Sequence, residues 1–235
     1  MTSFFRVLLL ASVSASLLPG ADPLTGFPFA DETLRYSVKL PLGMTFGSAT
    51  LTSAKQENGW SFNMTLDLPL PIVPIADKYA AAASKDLCGG TLTRTMTHGV
   101  RKVTEKTEFD NSAGQAHRQT MFPLGGGKSD ISISTCAKDA LTYLYYSRRE
   151  MGQGRMPISG QVLFGSGYDV KVVYTGAVEI TVKEKPVTTD HVNVSVKGPA
   201  SDVSFEVFYA RDAARTPLLV KIPVSVGAVS LELVR

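Results

Sequence analysis

Residues 135–154 read TCAKDALTYLYYSRREMGQG, and the reading of this stretch decides how the rest of the chain must fold. Leu141, Leu144, Tyr145 and Arg148 follow the i, i+3, i+4, i+7 spacing of one helical face. Tyr143, Tyr146 and Met151 widen the apolar stripe. Thr135 or Asp139 can cap the start, because a side-chain oxygen there accepts from backbone N–H groups that lack a helical partner. Arg148 and Arg149 fall in the last turn, where the helix dipole favours cations, and Gly152 can supply a left-handed stop. The spacing predicts a helix from Asp139 to Met151. A helix this apolar must be covered, and no other stretch reads as a partner helix for it. Strands must do the covering.

Outward from the helix the sequence alternates between apolar and polar residues. Before it, Leu34-Arg35-Tyr36-Ser37-Val38-Lys39-Leu40 has one dry face and one wet face, as do 46–54 and the run Trp60, Phe62, Met64, Leu66, Leu68. Asn58-Gly59 predicts the tight turn between the last two. Residues 75–86, with Tyr79 and several alanines, read as a short helix. Leu92 to Thr97, Val100 to Phe109 and Ala116 to Phe122 read as strands, the second so charged that an edge or a wet face is expected. Gly125-Gly126-Gly127 and Lys128-Ser129 make a flexible connection to Ile131-Ser132-Ile133. After the helix come Val162 to Phe164, Tyr168 to Tyr174, Val178 to Val182, Val192 to Val196, Val203 to Tyr209, Leu218 to Val224 and Val229 to Leu233. About ten or more short strands with turn signals between them predict a mostly β domain. The expected form is an antiparallel, strongly curved sheet or open barrel with one main packed helix, a sandwich being the alternative.

Near the start of the 235 residues Arg6 is followed by an apolar run from Val7 to Leu18 and then Pro19-Gly20-Ala21. This is the layout of a secretory signal peptide, residues 1–21, leaving residues 22–235 as a single β-rich domain. The run is shorter than the roughly 20 apolar residues that cross a bilayer, and no transmembrane segment is expected after signal removal. Basic residues number 24 and acidic ones 21, with no basic block, which excludes a nucleic-acid partner. The two cysteines, Cys88 and Cys136, read first as a disulfide in an exported chain, with two buried thiols as the alternative.

No chemistry-bearing motif emerges. Gly125 to Ser129 reads GGGKS, but a phosphate-binding loop needs a glycine where Phe122 stands. No GxSxG elbow occurs, and His98, His117 and His191 lie in contexts that read as turns or strand ends, without metal-ligand spacing. Glu105 and Glu108 alternate with other residues in a way that assigns neither to acid–base work. No catalytic residue, metal ligand or cofactor is assigned. Asn63-Met64-Thr65 and Asn193-Val194-Ser195 match a glycosylation sequon, a pattern that recurs by chance. The candidate ligand-contacting residues are Tyr143, Tyr146, Arg148 and Arg149, set against core packing and dipole compensation as the plainer reading.

Two stretches carry a resemblance. Asp139 to Arg149 followed by Gly152 to Gly154, and the tail Phe208-Tyr209-Ala210-Arg211-Asp212 through Pro217-Leu218 and Gly227 to Leu233, resemble the domain-of-unknown-function 3108 family. The opening Leu34-Arg35-Tyr36-Ser37-Val38, then Gly43 and Gly47-Ser48-Ala49, is similar to that family too. The resemblance implies an exported bacterial envelope protein, mostly β, located in the periplasm or cell envelope. It brings no functional residues with it. Two functions are expected from the architecture: a non-enzymatic binding or carrier protein for a lipid or other amphiphile, from strands with one strongly apolar face (Trp60, Phe62, Met64, Leu66) and an aromatic helix able to cover an open end, or an envelope assembly factor acting through a protein partner at an exposed strand edge. A hydrolase with scattered residues ranks behind both.

Overall fold

A computed structural model describes residues 29–234 apart from 42, 200–201 and 226; the predicted signal peptide lies outside the described residues. The first eight strands are β1 (Thr33–Lys39), β2 (Thr45–Gln56), β3 (Gly59–Leu68), β4 (Ile75–Ser84), β5 (Gly89–His98), β6 (Arg101–Asp110), β7 (Gln115–Phe122) and β8 (Lys128–Ser132). A two-residue strand β9 (Lys138–Asp139) leads straight into helix α1 (Ala140–Gly152). The chain then forms β10 (Gly160–Leu163), β11 (Gly167–Val182), β12 (Lys185–Lys197), β13 (Asp202–Ala210), β14 (Pro217–Val224) and β15 (Gly227–Leu233).

These strands form one sheet of 15, in the order β8-β7-β6-β5-β4-β3-β2-β1-β15-β14-β13-β12-β11-β10-β9. Two meanders meet at its centre. One runs outward from β1 to β8; the other returns from β9 to β15 and pairs with β1, Tyr36 opposite Leu233 and Val38 opposite Leu231. All neighbours are antiparallel except β9 and β10, which run parallel. Parallel neighbours need a crossover, and α1 is that crossover. The sheet is not closed, since β8 and β9 remain its two edges, and it is a single sheet rather than a sandwich.

Curvature brings the outer strands together without pairing them. Gly89 N donates to Ala137 O at 2.8 Å, and Cys88 is bonded to Cys136. Arg94 of β5 donates to Phe164 O at 2.8 Å, and Arg118 of β7 donates to Gly165 O at 2.6 Å. The β10–β11 turn is therefore gripped from the far side of the curl.

Residues 75–86 are not a helix: Ile75–Ser84 is β4, with Asp77, Tyr79, Ala81 and Ala83 buried on one face. The alanines belong to a strand because α1 packs on β3 and β4, and small side chains let it come close. The tight turn is Glu57-Asn58, one residue earlier than expected, with Gln56 opposite Gly59. A side chain at Gly59 would place its Cβ 1.9 Å from Ala83 O, so close strand approach explains this glycine. Tyr168 to Tyr174 and Val178 to Val182 are one long strand, β11, interrupted by a bulge between Tyr174 and Gly176. Strand β6 lies two places in from the edge, and its Arg101, Lys102 and Glu108 are exposed, so the wet face explains its charge.

The disulfide spans 48 residues and joins the β4–β5 turn, midway along the first meander, to the segment just before β9 at the start of the second. Loop closure in the unfolded chain makes a bridge of this span worth about 4 kcal/mol. Replacing Cys88 and Cys136 together with serine is expected to lower the unfolding free energy by about that amount in urea titration, with the strand-dominated circular dichroism retained.

Candidate functional site

Helix α1 fills the inside of the curl. Asp139 caps it, its Oδ1 accepting from Leu141 N at 2.9 Å and Thr142 N at 3.0 Å. The stop is not at Gly152, which is still helical; Gln153 is the C-cap and Gly154 takes the left-handed turn with φ +74. The helix is buried almost all round, including Thr142, Ser147, Arg148 and Glu150. It is surrounded by strands.

Arg148 is 0% exposed. Its two terminal nitrogens each donate to a Glu32 carboxylate oxygen at 2.7 Å, and Nε donates to Ala214 O at 3.1 Å. The guanidinium lies over the rings of Phe29 at 4.4 Å and Tyr145 at 5.1 Å. Burial disfavours its charge, but the Glu32 hydrogen bonds together with the charge of Glu32 and the nearby Tyr145 and Tyr36 outweigh burial and hold its pKa above the ordinary arginine value. Tyr145 in turn stacks on Phe62 at 4.2 Å. One side chain thus joins the segment before β1, the helix and the β13–β14 connection.

Of the other expected contact residues, Tyr143 lines a cavity described below, while its hydroxyl donates to Ile158 O at 3.2 Å. Burial pushes the Tyr143 phenol up to about 12. Tyr146 lies beside Tyr143, their rings 5.9 Å apart, with Lys138 at 4.5 Å from the Tyr146 ring and Arg149 at 5.4 Å. Arg149 pairs with Glu150, which Arg155 also contacts. Tyr143, Tyr146 and Arg149 thus lie together, both tyrosine hydroxyls meeting the Ile158 backbone, while Arg148 reaches away to Glu32.

What converges is apolar. A cavity of about 290 Å³ lies between one helix face (Ala140, Leu141, Tyr143, Leu144, Ser147) and the inward side chains of the sheet. Strand β11 contributes Val170 and Val172; β12 contributes Val194 and Val196; β13 contributes Phe205, Val207 and Tyr209. Across from them stand Tyr36, Leu51, Met64, Val220 and Leu231, and Phe164 closes one end. No charged residue and no histidine lines it. Two of the polar side chains near it are already engaged: Tyr36 donates to Pro217 O at 2.9 Å, and Ser147 to Tyr143 O at 2.7 Å.

A larger hollow of about 470 Å³ sits under the far end of the β11–β12 hairpin, beside β1 and β15. It is lined by Lys39, Lys183, Glu184 and Glu232 as well as apolar residues, so it is a wet groove without a converging set of groups. The histidines do not meet. His98 ends β5 and contacts Asp77 at 3.2 Å, as expected of a strand end. His117 and His191 instead lie within β7 and β12; His117 contacts the exposed Asp130, and His191 stacks on Phe208 at 4.4 Å. Among the described residues no group of His, Cys, Asp or Glu is arranged to hold a metal ion.

Two tests address the scaffold of this site. Arg148→Met leaves the Glu32 carboxylate without its cation and is expected to cost about 3–5 kcal/mol in urea unfolding. The double variant Glu32→Leu/Arg148→Met is expected to regain most of that loss, because neither charge is then buried alone. The second test uses Asp139, fully buried, where desolvation raises the pKa from 3.8 to about 6 against the hydrogen bonds from Thr142 and Leu141. An acid that holds its proton more tightly when folded favours the native state below its unfolded pKa, and this advantage fades as pH rises through the folded value. Wild type is therefore expected to lose up to about 3 kcal/mol relative to Asp139→Asn between about pH 4 and pH 6, measured by denaturant titration at each pH.

No curated protein matches this chain. A family model described as a protein of unknown function, DUF3108, matches residues 34–234, from the second residue of β1 to just past the end of β15. The chain belongs to the DUF3108 family.

Proposed function

We propose that the protein is a non-enzymatic carrier of the cell envelope that holds an apolar or amphiphilic ligand between α1 and the strands β10 to β15. The observation that carries this reading is the cavity lined without a single charged side chain, in a fold whose other helix faces are packed or paired. Its volume of about 290 Å³ sits at the lower end of small-molecule sites, which run from about 300 to 1,000 Å³. That size suits one slender apolar group, such as a single acyl chain, with any polar head left outside. The apolar run at residues 7–18 and the Cys88–Cys136 bridge both support an exported chain, since disulfides persist in oxidising compartments. A partner protein adding a strand is less favoured. The β8 edge has only 5 residues and carries Lys128 and Asp130, the kind of short, charged edge that resists pairing.

Solvent extraction and mass spectrometry of protein purified from its native compartment is expected to yield an apolar molecule in near-stoichiometric amount. The delipidated protein is expected to enhance the fluorescence of N-phenyl-1-naphthylamine, and Leu144→Trp, which fills the cavity, to abolish the enhancement. No extracted molecule together with an unchanged response in Leu144→Trp would refute the carrier reading.

A further inference from the structure

Hairpin turns alternate between the two ends of an antiparallel sheet, so the β3–β4, β5–β6 and β7–β8 turns all lie side by side at one end. They touch: Gly99 N donates to Pro74 O at 2.8 Å, and Lys102 Nζ lies 6.0 Å from the Phe122 ring centre. Their tips are apolar and stand free of the body. Ile72 is 92% exposed, Val100 106% and Leu124 91%, beside the half-exposed Val73, Met121 and Phe122. A β-sheet turn ordinarily carries Gly, Asn, Asp or Ser, because polar backbone and solvent meet there. Here the turn sequences are PLPIVP (69–74), HGVRK (98–102) and MFPLGGGK (121–128). They hold Arg101, Lys102 and Lys128, all exposed, and no carboxylate. Asp77, which faces His98 from β4, is buried one step behind the rim.

A flat apolar patch would fit a folded protein partner, but these are three separate projections with cations at their bases. Projecting apolar side chains above a belt of cations match a bilayer surface whose headgroups are anionic and whose acyl layer begins a few ångströms beneath. We propose that this rim is a membrane-contacting edge, in which Ile72, Val100 and Leu124 enter the interfacial layer of an anionic bilayer and Arg101, Lys102 and Lys128 meet the headgroup phosphates. Phe164, at the end of the apolar cavity, occupies the β10–β11 turn at the same end of the sheet. The inference stands on the turns alone and does not require the cavity to be filled.

The test is flotation with vesicles, using a chain that starts at Asp22; it keeps every described residue and omits the apolar run at 7–18. Wild type is expected to float with vesicles of equimolar phosphatidylglycerol and phosphatidylcholine, and less with phosphatidylcholine alone. Ile72→Ser/Val100→Ser/Leu124→Ser is expected to weaken the partition by at least about tenfold, and Arg101→Gln/Lys102→Gln/Lys128→Gln to remove the preference for the anionic vesicles. All six positions are exposed, so circular dichroism and thermal unfolding of both variants should match wild type. Leu144→Trp should float as wild type does, which separates this inference from ligand carriage. Wild type remaining unbound to anionic vesicles would overturn the proposal, as would a triple serine variant that floats equally well. Selective crosslinking from position 100 to an envelope protein, without flotation, would assign the rim to a protein partner and likewise overturn it.

Discussion

The structure depends on one buried cation. A sheet of 15 strands that curls without closing has no ladder of hydrogen bonds to fix its final curvature, and something inside must set it. Arg148 does this from the helix. It holds Glu32 with two hydrogen bonds, reaches Ala214 O, and lies against Phe29 and Tyr145. A buried ion pair contributes little net stability compared with well-packed apolar residues, but leaving one half alone is costly. The pair therefore acts on register: α1 can sit only where Arg148 meets Glu32. The Phe62–Tyr145 stack and Asp139 at the cap then define the remaining orientation of the helix.

Holding the helix against β3 and β4 has a consequence on its opposite flank. Ala81 and Ala83 let α1 approach closely on that side, while the valines of β11 and β12 face it from the other side without filling the space. The result is an apolar cavity that the fold creates rather than tolerates. The clasp made by Cys88–Cys136, Arg94 and Arg118 keeps the outer strands from opening and holds the β10–β11 turn, with Phe164, over one end. Arg94 is itself paired with Glu105 and lies 4.9 Å from the Phe164 ring, so the turn is fixed by charge as well as by packing.

Much of this was legible from local pattern. Alternation over Leu34 to Val38 or Val192 to Val196 marks strands because a half-buried strand repeats every two residues. The stretch from Asp139 showed a helix because its apolar residues follow a longer period. The pairing of Cys88 with Cys136 followed from an even count in a chain expected to be exported. Residues 75–86 misled because alanine is a strong helix former, and the reason for alanine there was a helix more than fifty residues away in sequence. The long-range neighbours of α1 also explain why the surroundings of its polar residues were not legible from the helix alone. Arg148 is consumed by Glu32, 116 positions away, while Tyr143 and Tyr146 meet the backbone of Ile158 from neighbouring positions. The cavity itself had a faint signal: Val170, Val172, Val194, Val196 and Val207 repeat one small apolar side chain on facing strands. Only the curl reveals that they share a void.

The central claim is that this void, and not a surface feature, is where the protein engages its ligand. Methyl NMR on selectively labelled Ile, Leu, Val and Met residues tests it directly during titration with a medium-chain fatty acid. The account predicts saturable shifts at Leu144, Val172, Val194, Val196, Val220, Leu231 and Met64, with the methyls of Ile180, Val182 and Leu218 beside the wet groove unmoved. Shifts confined to that groove, or none at the cavity methyls at saturating ligand, would contradict it.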